Sequence, residues 1–308
     1  MRILELAKVL VLMSTYNGEI YLREQIDSIL EQTECDTDLL VRDDGSTDGT
    51  IDILNEYQKK GKLKWYTGEN LRPGRSFMNL LINAPEDYDY YAFSDQDDVW
   101  KSNKMSAATK MIGISDKPIM YCGNALLVDN NLESLGHLCN NYILKPNLLG
   151  VLVGGGIQGA TIVVNKTLKG RFGKEILDVN IKMHDYYVSC VCLAMGGEIL
   201  YDETPYLLYR QHGDNVVGVN KSLVGTLKKR YEMMTNADGA FDIEKTSEEI
   251  LKSFDKYISN PEKAILKRTS NYKKHISDKL FILRDSGIGL GRSNIRMALS
   301  VGILLGKI

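Results

Sequence analysis

The chain is organised around residues 90–105, which have the sequence Y-Y-A-F-S-D-Q-D-D-V-W-K-S-N-K-M. It opens with four apolar or aromatic residues, which predict a buried β-strand that runs directly into Asp95, Asp97 and Asp98. Three carboxylates so close together repel one another, and a hard divalent cation such as Mg²⁺ or Mn²⁺ relieves that repulsion. Because ligands bind at the carboxyl ends of strands in open α/β sheets, we expect a metal site here. The alternative interpretation is an acidic cap on a helix that begins near Lys101.

The alternation of strand and helix before this stretch predicts a mostly parallel sheet. Apolar runs that end in polar turns indicate strands, and apolar residues at helical spacing indicate the connecting helices. The order βαβαβαβ calls for right-handed crossovers and for helices on both faces of the sheet. The predicted strands are residues 9–13, 39–41, 63–66 and 90–93, and the predicted helices are residues 20–32, 51–57 and a segment from Pro73 onwards.

Carboxylates follow three of these strands at the point where each strand ends. Glu19 follows the first strand, Asp43 and Asp44 follow the second, and the acids of residues 95–98 follow the fourth. In a parallel sheet these turns lie on the same edge, so one crevice should collect all of them. This convergence is a stronger indication of a binding site than any single motif.

The composition is that of a soluble globular protein with one large domain, or one domain plus an extension. Of the 308 residues, 44% are apolar and 25% are charged, and the net charge of −2 argues against nonspecific nucleic-acid binding. The five cysteines have no zinc or redox spacing, which predicts reduced thiols. We find neither a signal-peptide pattern nor an apolar run of membrane-spanning length, so we expect a cytoplasmic protein.

The motifs of other nucleotide-binding sites are missing. There is no G-x-G-x-x-G after the first strand and no G-x-x-x-x-G-K-[ST] anywhere, which argues against dinucleotide and P-loop sites. Residues 44–55 have the start of an EF-hand loop, but the twelfth position is Asn55 rather than Glu, and the segment from Ile51 should be helical.

The second half of the chain carries three further candidate segments. Glycines are dense in residues 154–159, which predicts either a close approach of the backbone to a ligand or a flexible hairpin. Asp185, next to His184, stands near the start of a helix that runs to about residue 195, where it is either a cap or a general base. A dense polar cluster, Y-R-Q-H-G-D-N, occupies residues 209–215.

The chain after residue 218 changes to helical periodicity with many lysines and arginines. We therefore predict two domains, residues 1–218 and a helical extension over residues 219–308. The predicted helices cover residues 223–234, 246–258, 261–275 and 278–283. The apolar tail, residues 295–308, is too short to span a bilayer; it either lies on an anionic membrane surface or packs against the catalytic domain.

These motifs resemble those of the family 2 glycosyltransferases, over about residues 8–218. The resemblance rests on S-T-Y-N-G-E, D-D-G-S-T-D-G-T and S-D-Q-D-D-V-W-K-S-N-K-M, together with G-G-I-Q-G-A-T-I-V-V-N, H-D-Y-Y and Y-R-Q-H-G-D-N. It implies the GT-A fold, which is Rossmann-like, and an inverting, metal-dependent enzyme. The segments are most similar to the bacterial rhamnosyltransferase-like branch, which builds cell-wall and capsular polysaccharides.

The resemblance also implies a role for individual residues. Asp97 would be a metal ligand with help from Asp95, which also lies near the ribose, and Asp185 would be the general base. The residues implied to bind the nucleotide are Thr15, Tyr16, Glu19, Asp43, Asp44, Arg75 and Asp95, with Asp43 on a pyrimidine base. The residues implied to contact the diphosphate or the acceptor are Gln158, His184, Arg210, Gln211 and His212. The Q-x-x-R-W signature of processive synthases is absent, which favours transfer of a single sugar.

Elementary chemistry agrees with this interpretation. A divalent cation, Mg²⁺ or Mn²⁺, would stabilise the charge that develops on a nucleotide-diphosphate leaving group, while a carboxylate on another element takes the proton of the attacking hydroxyl. We expect a dTDP- or UDP-linked donor, with dTDP-rhamnose as one candidate, and a glycan or lipid-linked acceptor at the inner face of the plasma membrane. The alternatives are a phosphatase with an aspartyl nucleophile, a sugar-nucleotide pyrophosphorylase, and a nucleotide-binding scaffold without activity. The sugar, the linkage and the oligomeric state do not follow from the sequence.

Overall fold

A mixed β-sheet of nine strands organises the described part of the chain. The structure is a computed structural model, and it describes residues 6–140, 146–179, 181–212, 242–289 and 293–307. The strand order is β3-β2-β1-β4-β8-β6-β9-β5, and β7 pairs with β6. The strands are β1 (Ala7–Thr15), β2 (Cys35–Asp43), β3 (Lys64–Thr67), β4 (Tyr90–Ser94), β5 (Val99–Trp100), β6 (Ile119–Val128), β7 (Ser134–Leu138), β8 (Val163–Asn165) and β9 (Glu198–Arg210).

The sheet has a parallel half and an antiparallel half. β1 pairs in parallel with β2 and β4, and β2 pairs in parallel with β3, as the sequence predicts. β8 is antiparallel to β4 and β6, β7 is antiparallel to β6, and β5 is antiparallel to β9. Parallel neighbours need a long crossover, and the regular βα alternation ends at β4, where β5 follows directly after residues 95–98. The α/β fold class is confirmed, with an antiparallel half in addition to the predicted parallel strands.

Helices connect the parallel strands and form most of the later part of the chain. Each of the early helices directs an apolar stripe towards the sheet; in α1 the stripe is Leu22, Ile26 and Ile29. The helices are α1 (Leu22–Leu30), α2 (Thr50–Lys59), α3 (Arg72–Asn83), α4 (Lys104–Ile112), α5 (Leu148–Gly154), α6 (Lys166–Lys169), α7 (His184–Ala194), α8 (Ile243–Phe254), α9 (Asn260–Thr269), α10 (Ile276–Arg284) and α11 (Ser293–Leu305), with 3₁₀ helices at Gly159–Thr161 and Lys174–Asp178.

The chain divides into two compact units that interleave along the sequence. The first unit is Met1–Asn141, Gln158–His184 and Leu200–His212, and the second is Tyr142–Ile157, Asp185–Ile199 and Gly213–Ile308. This division differs from the predicted boundary at residue 218, because α5 and most of α7 belong to the second unit. The physical reason is a shared core, in which Leu149 and Val153 of α5 pack with apolar residues of the C-terminal helices.

The C-terminal helices follow the predicted periodicity closely. α8, α9 and α10 overlap the segments predicted as helical, and α11 occupies the apolar tail. The predicted helix at residues 223–234 lies outside the described residues. Among the described helices, none has the length and apolar character that crossing a bilayer requires. The core of the second unit contains Leu149, Val153, Ile243, Tyr272, Ile282, Ile288, Ile295, Leu299 and Ile303.

Candidate active site

The acidic loop, residues 95–98, connects β4 to β5 at the carboxyl end of β4. Asp95 and Asp97 are half-buried, whereas Asp98 is fully buried. Oδ1 of Asp98 accepts a hydrogen bond from the backbone N–H of Arg210 at 3.1 Å, and Oδ2 has no hydrogen-bond partner. Burial raises the pKa of Asp98 well above its usual value, and the nearby charges of Asp97 and Asp95 raise it further. The surroundings of this carboxyl group therefore disfavour its charged form.

Lys104 lies in the same buried region. Its ammonium nitrogen is 3.4 Å from the centre of the Trp100 ring and has no hydrogen-bond partner. Burial lowers the pKa of Lys104 to about 7, and attraction to Asp98 opposes part of that effect. An ammonium over an aromatic face is stabilised by the ring quadrupole, which offsets part of the cost of burial.

Arg210, the last residue of β9, fixes the acidic loop by a hydrogen bond to its backbone. Its side chain is buried, and its Nε donates to the backbone carbonyl of Asp97 at 2.9 Å. The two terminal nitrogens donate to the Glu24 carboxylate and to the Asn130 carbonyl oxygen, each at 2.5 Å. The guanidinium also lies over the ring of Tyr21, at 4.4 Å from its centre. All three side-chain nitrogens of Arg210 thus bind protein groups. In this structure Arg210 therefore stabilises the acidic loop, whereas the sequence resemblance implied a contact with the diphosphate or the acceptor.

His212 brings an imidazole to the acidic loop. Its Nε2 lies 2.7 Å from Oδ2 of Asp97, and its ring packs on Tyr21 with the ring centres 5.4 Å apart. Gln211 is fixed by its backbone N–H, which donates to the carbonyl oxygen of Val128 at 2.9 Å. The polar cluster of residues 210–212 and the acids of residues 95–98 therefore meet, although they are more than a hundred residues apart in sequence.

The donor set at this place suits a divalent cation that is held by few protein ligands. Within the ranges that the structure describes, no group of three or more His, Cys, Asp or Glu side chains is arranged to hold a metal ion. Oδ2 of Asp97 and Nε2 of His212 converge, however, and both are partly accessible. Mg²⁺ typically binds one or two protein carboxylates and takes its other ligands from water and substrate phosphates. The residues present therefore fit Mg²⁺ or Mn²⁺.

The end of β2 forms a second part of the same edge. The buried Asp43 carboxylate accepts hydrogen bonds from the backbone N–H groups of Gly45 and Ser46 at 3.0 and 2.8 Å, and from the hydroxyls of Ser46 and Thr15 at 2.5 and 3.3 Å. Carboxylates in this arrangement shape a turn from within. Asp43 thus fixes the loop that carries D-D-G-S-T.

Asp44 is buried and ion-paired with Arg42. Its carboxylate also accepts hydrogen bonds from the Ser76 hydroxyl at 2.8 Å and from the backbone N–H of Leu71 at 3.0 Å. Asp44 therefore ties the end of β2 to the first turns of α3, where Arg75 is exposed.

Gln96, which the sequence analysis missed, joins the loop after β1 to the acidic loop. Its amide oxygen accepts from the backbone N–H of Tyr16 at 2.9 Å, and its amide nitrogen donates to the Tyr16 carbonyl oxygen at 3.1 Å. A Cβ atom on Gly18 would collide with this amide. The side chain of Tyr16 is exposed, and the Glu19 carboxylate accepts from the N–H of Gly49 at 2.6 Å, ahead of α2. The sequence signal for Gln96 is its position between the acids.

A cavity of about 220 Å³ lies in the first unit beside α3. Its wall combines one cation, one carboxylate and one amide with several aliphatic side chains. The lining residues are Glu69, Leu71, Arg75, Met78, Asn79, Ile176, Leu177, Val179 and Ile181.

Gln158 is half-buried, and His184 is buried. The side-chain oxygen of Gln158 is inaccessible and has no hydrogen-bond partner. His184 packs on Phe77 and Phe93, with ring centres 4.1 and 4.9 Å away, and its Nε2 also has no partner. Burial lowers the pKa of His184 to about 3, so the ring is neutral at physiological pH. The glycines before Gln158 adopt left-handed backbone angles at residues 155 and 156, with φ values of 54° and 97°.

Asp185 lies in the first turn of α7, in the second unit. It is buried, and its Oδ1 accepts a hydrogen bond from the backbone N–H of Tyr186 at 2.7 Å. The next residues anchor the helix: the Tyr186 hydroxyl donates to the carbonyl oxygen of Leu152 at 2.9 Å, and Tyr187 packs near Phe254. The helix start is thus firmly held, and the role of Asp185 as a base stays a prediction.

Comparison with known proteins identifies relatives among the glycosyltransferases. Residues 10–125 match the family described as Glycosyl transferase family 2. The chain is 29% identical to the dTDP-rhamnosyl transferase RfbG of Shigella flexneri, over 70% of this chain and 77% of that one. It is 34% identical to an uncharacterised glycosyltransferase of Nostoc sp., over 68% of this chain and 66% of that one. It is 29% identical to WfgD of Escherichia coli, a UDP-Glc:alpha-D-GlcNAc-diphosphoundecaprenol beta-1,3-glucosyltransferase, over 58% of this chain and 67% of that one.

Solved structures support the fold. The chain resembles residues 1–349 of TarS from S. aureus in complex with UDP-GlcNAc, with a TM-score of 0.53 at 17% identity, over 97% of this chain and 92% of that one. The same protein in complex with UDP gives a TM-score of 0.52. At this identity the similarity shows a shared fold.

Proposed function

Because the chain belongs to the family 2 glycosyltransferases, we propose that it moves one sugar from a nucleotide-diphosphate donor to a hydroxyl of a cell-surface glycan, with inversion at the anomeric carbon. The observation that carries the proposal is the contact between Asp97 and His212 at the carboxyl ends of β4 and β9. Membership of this family argues against the phosphatase and pyrophosphorylase alternatives.

Asp97 and His212 hold a divalent cation in this proposal, with Asp95 beside them. A bound Mg²⁺ or Mn²⁺ supplies charge stabilisation for the leaving diphosphate. The protein's contribution is to keep Oδ2 of Asp97 and Nε2 of His212 in place before the donor arrives. Arg210 fixes the backbone at Asp97, and Gln96 fixes the loop after β1.

The nucleotide lies along the same edge of the sheet. Thr15, Asp43 and Asp44 shape the loops at the ends of β1 and β2, and the exposed guanidinium of Arg75 offers a cation to the nucleotide or its phosphates. Tyr16 offers an exposed aromatic ring and Glu19 an exposed carboxylate. Gln158, His184 and Gln211 are assigned to the diphosphate or acceptor side.

Asp185 takes the proton of the attacking acceptor hydroxyl. A single displacement at the anomeric carbon inverts its configuration, and a carboxylate acting as general base typically contributes about 10²–10⁴-fold to the rate. This carboxyl group accepts a hydrogen bond from the N–H of Tyr186 and lies in the first turn of α7.

The donor is a dTDP- or UDP-linked sugar, and rhamnose is the sugar that we favour. The similarity to the dTDP-rhamnosyl transferase RfbG favours a dTDP-linked donor, and the similarity to the glucosyltransferase WfgD favours a UDP-linked one. WfgD acts on a diphosphoundecaprenol-linked sugar, which favours a lipid-linked acceptor at the cytoplasmic face of the membrane.

Calorimetry of dTDP and UDP binding with and without Mn²⁺ tests the metal assignment. We expect Mn²⁺ to tighten nucleotide binding to the wild type. Asp97→Asn and His212→Gln should each reduce that gain by about tenfold or more, because changes even to groups that only orient metal ligands cost about 10–100-fold. His137→Gln, at an exposed histidine of β7, is the matched control and should keep the wild-type gain. An unchanged metal dependence in Asp97→Asn would remove Asp97 from the metal site.

Asp185→Asn tests the base. The expected result is a loss of turnover by about 10²-fold or more, with nucleotide affinity and its metal dependence unchanged, since the amide retains the size of the carboxyl group but accepts no proton. Sugar transfer and donor binding are measured on the same preparation. Turnover at the wild-type rate would contradict the assignment.

A further inference from the structure

Helix α11 is apolar on both of its sides. Ile295, Leu299 and Ile303 face the core of the second unit. Met297, Val301, Leu304 and Leu305 are exposed by 71, 53, 48 and 62%. Their spacing of i, i+4, i+7 and i+8 places them on one stripe, where an ordinary surface helix carries charged residues. This stripe has no covering element within the described residues.

Helix α10 extends the exposed surface. Ile276 and Leu280 are exposed by 64 and 45% and stand one helical turn apart. Lys279, between them and next to Leu280, donates from its ammonium group to the carbonyl oxygen of Leu304 at 2.9 Å, which holds α10 beside the end of α11. We name the set Ile276, Leu280, Met297, Val301, Leu304 and Leu305 the α10–α11 face.

Cations border this face. A Cβ atom on Gly306 would lie 3.6 Å from the ammonium nitrogen of Lys279 and 3.7 Å from the side chain of Lys273, and the exposed Lys307 follows directly. Lys274 is also exposed. Two acids lie near these cations: Asp278 of α10 is bound by Arg268 at 2.7 Å, and Glu244 of α8 pairs with Lys273 at 3.7 Å, whereas α11 contains no acidic residue. The border of the face is therefore positive.

We propose that the α10–α11 face docks on the surface of an anionic lipid bilayer. At 1.5 Å per residue, the 13 residues of α11 are about 20 Å long, too short to span a bilayer but suited to lying in its interface. The exposed apolar residues enter the boundary between headgroups and acyl chains, and the lysines contact anionic headgroups. A symmetric contact with a second copy would instead bring the lysine borders of the two copies together.

The inference deepens the proposed function, since a lipid-linked acceptor is presented at such a surface, but its evidence comes from the second unit alone. Docking would hold the enzyme where its acceptor is concentrated. It would not alter the chemistry of transfer to a water-soluble acceptor.

Vesicle flotation of the full chain tests the proposal. The probes are vesicles of phosphatidylcholine alone and vesicles that contain one third phosphatidylglycerol. We expect binding to the anionic vesicles, a reduction by about tenfold or more in Met297→Gln/Leu305→Gln, and loss of the preference for anionic lipid in Lys274→Gln/Lys307→Gln. Ile114→Gln is the matched control: Ile114 is fully exposed in the first unit and should not affect flotation. Circular dichroism verifies that each variant is folded.

Three results would overturn the proposal. The first is an absence of wild-type binding to anionic vesicles, and the second is equal binding by Met297→Gln/Leu305→Gln. The third is a dimer in sedimentation that Met297→Gln/Leu305→Gln abolishes, without vesicle binding, which would assign the face to a second copy. Metal-dependent nucleotide binding, measured in parallel, separates this outcome from a failure of the proposed function, since we expect the face variants to retain it.

Discussion

His184 illustrates how a single buried group contributes to the pH dependence of stability. Its ring lies between two phenylalanines and has a folded-state pKa of about 3, against about 6.5 in an unfolded chain. At a pH between these two pKa values, His184 is protonated in the unfolded chain but not in the folded one, so through this group acidification favours unfolding. From pH 7.5 to 5.5 this histidine should remove about 1.4 kcal/mol from the free energy of unfolding.

Urea unfolding of the wild type and of His184→Phe at both pH values measures the effect. The loss between pH 7.5 and 5.5 should be smaller in His184→Phe by about 1.4 kcal/mol, because phenylalanine does not titrate. His137→Gln, at an exposed position, should lose as much as the wild type. An equal pH dependence in wild type and His184→Phe would show that the buried ring does not control it.

The sequence indicated which residues belong to the site better than it indicated which groups they contact. The adjacency of Asp95, Asp97 and Asp98 is visible in the sequence, and so is the cluster at residues 210–212. The contacts that give Arg210 a supporting position join Glu24, Asn130 and the Asp97 carbonyl, which are far apart along the chain. Nothing in the local pattern around Arg210 indicates such partners, because they depend on how the strands pair.

At the scale of elements, the position of α3 depends on the close approach of Gly74 to the backbone of residues 181 and 182. A Cβ atom there would lie 2.5 Å from the carbonyl oxygen of Ile181 and as close to the carbonyl group of Lys182. In a helix, alanine is usually better than glycine by about 0.5–1 kcal/mol, but overpacking against backbone costs about 1–3 kcal/mol. We therefore expect Gly74→Ala to lower the stability of the protein by about 1–2 kcal/mol.

Gly154→Ala in α5 is the matched control for this prediction. Its Cβ atom would meet only a methyl carbon of Leu299, at 3.4 Å, which can move. Thermal unfolding should show a lower midpoint for Gly74→Ala and little change for Gly154→Ala. A stabilised Gly74→Ala would mean that α3 and the segment around Lys182 are not in contact.

Elements were predictable where the hydrophobic period is strong and regular. The strands that became β1, β2 and β4 are short apolar runs, and each was located to within a few residues. The segments of β6 and β9 each contain two short apolar runs separated by polar residues such as Asn124 and Glu203, which suggests two short strands, whereas each segment forms one continuous strand. The antiparallel half of the sheet tolerates such polar residues. Its strand pairing depends on packing against neighbouring strands that are distant in sequence.

For the whole molecule, the unpredicted feature is the interleaving of the two units. The periodicity after residue 218 predicted helices but not what they cover. Leu149 and Val153 come from a segment that was assigned to the catalytic domain, and they complete the core formed with Ile243, Tyr272 and Leu299. Which apolar face meets which is a question of surface complementarity between distant segments, and sequence spacing does not contain that information.

This shared core predicts that a chain ending at residue 218 will not fold like the full protein. Burial of one large aliphatic side chain contributes about 1.5–3 kcal/mol, so exposing Leu149 and Val153 removes about 3–6 kcal/mol from a total stability of about 5–15 kcal/mol. The loss of α8 also removes Phe254, on which Tyr187 packs at the start of α7, beside Asp185. We expect the shortened chain to bind the dye ANS, to aggregate on heating and to transfer no sugar. A monomeric fragment with a sharp unfolding transition and wild-type turnover would show that the C-terminal helices are a separable domain.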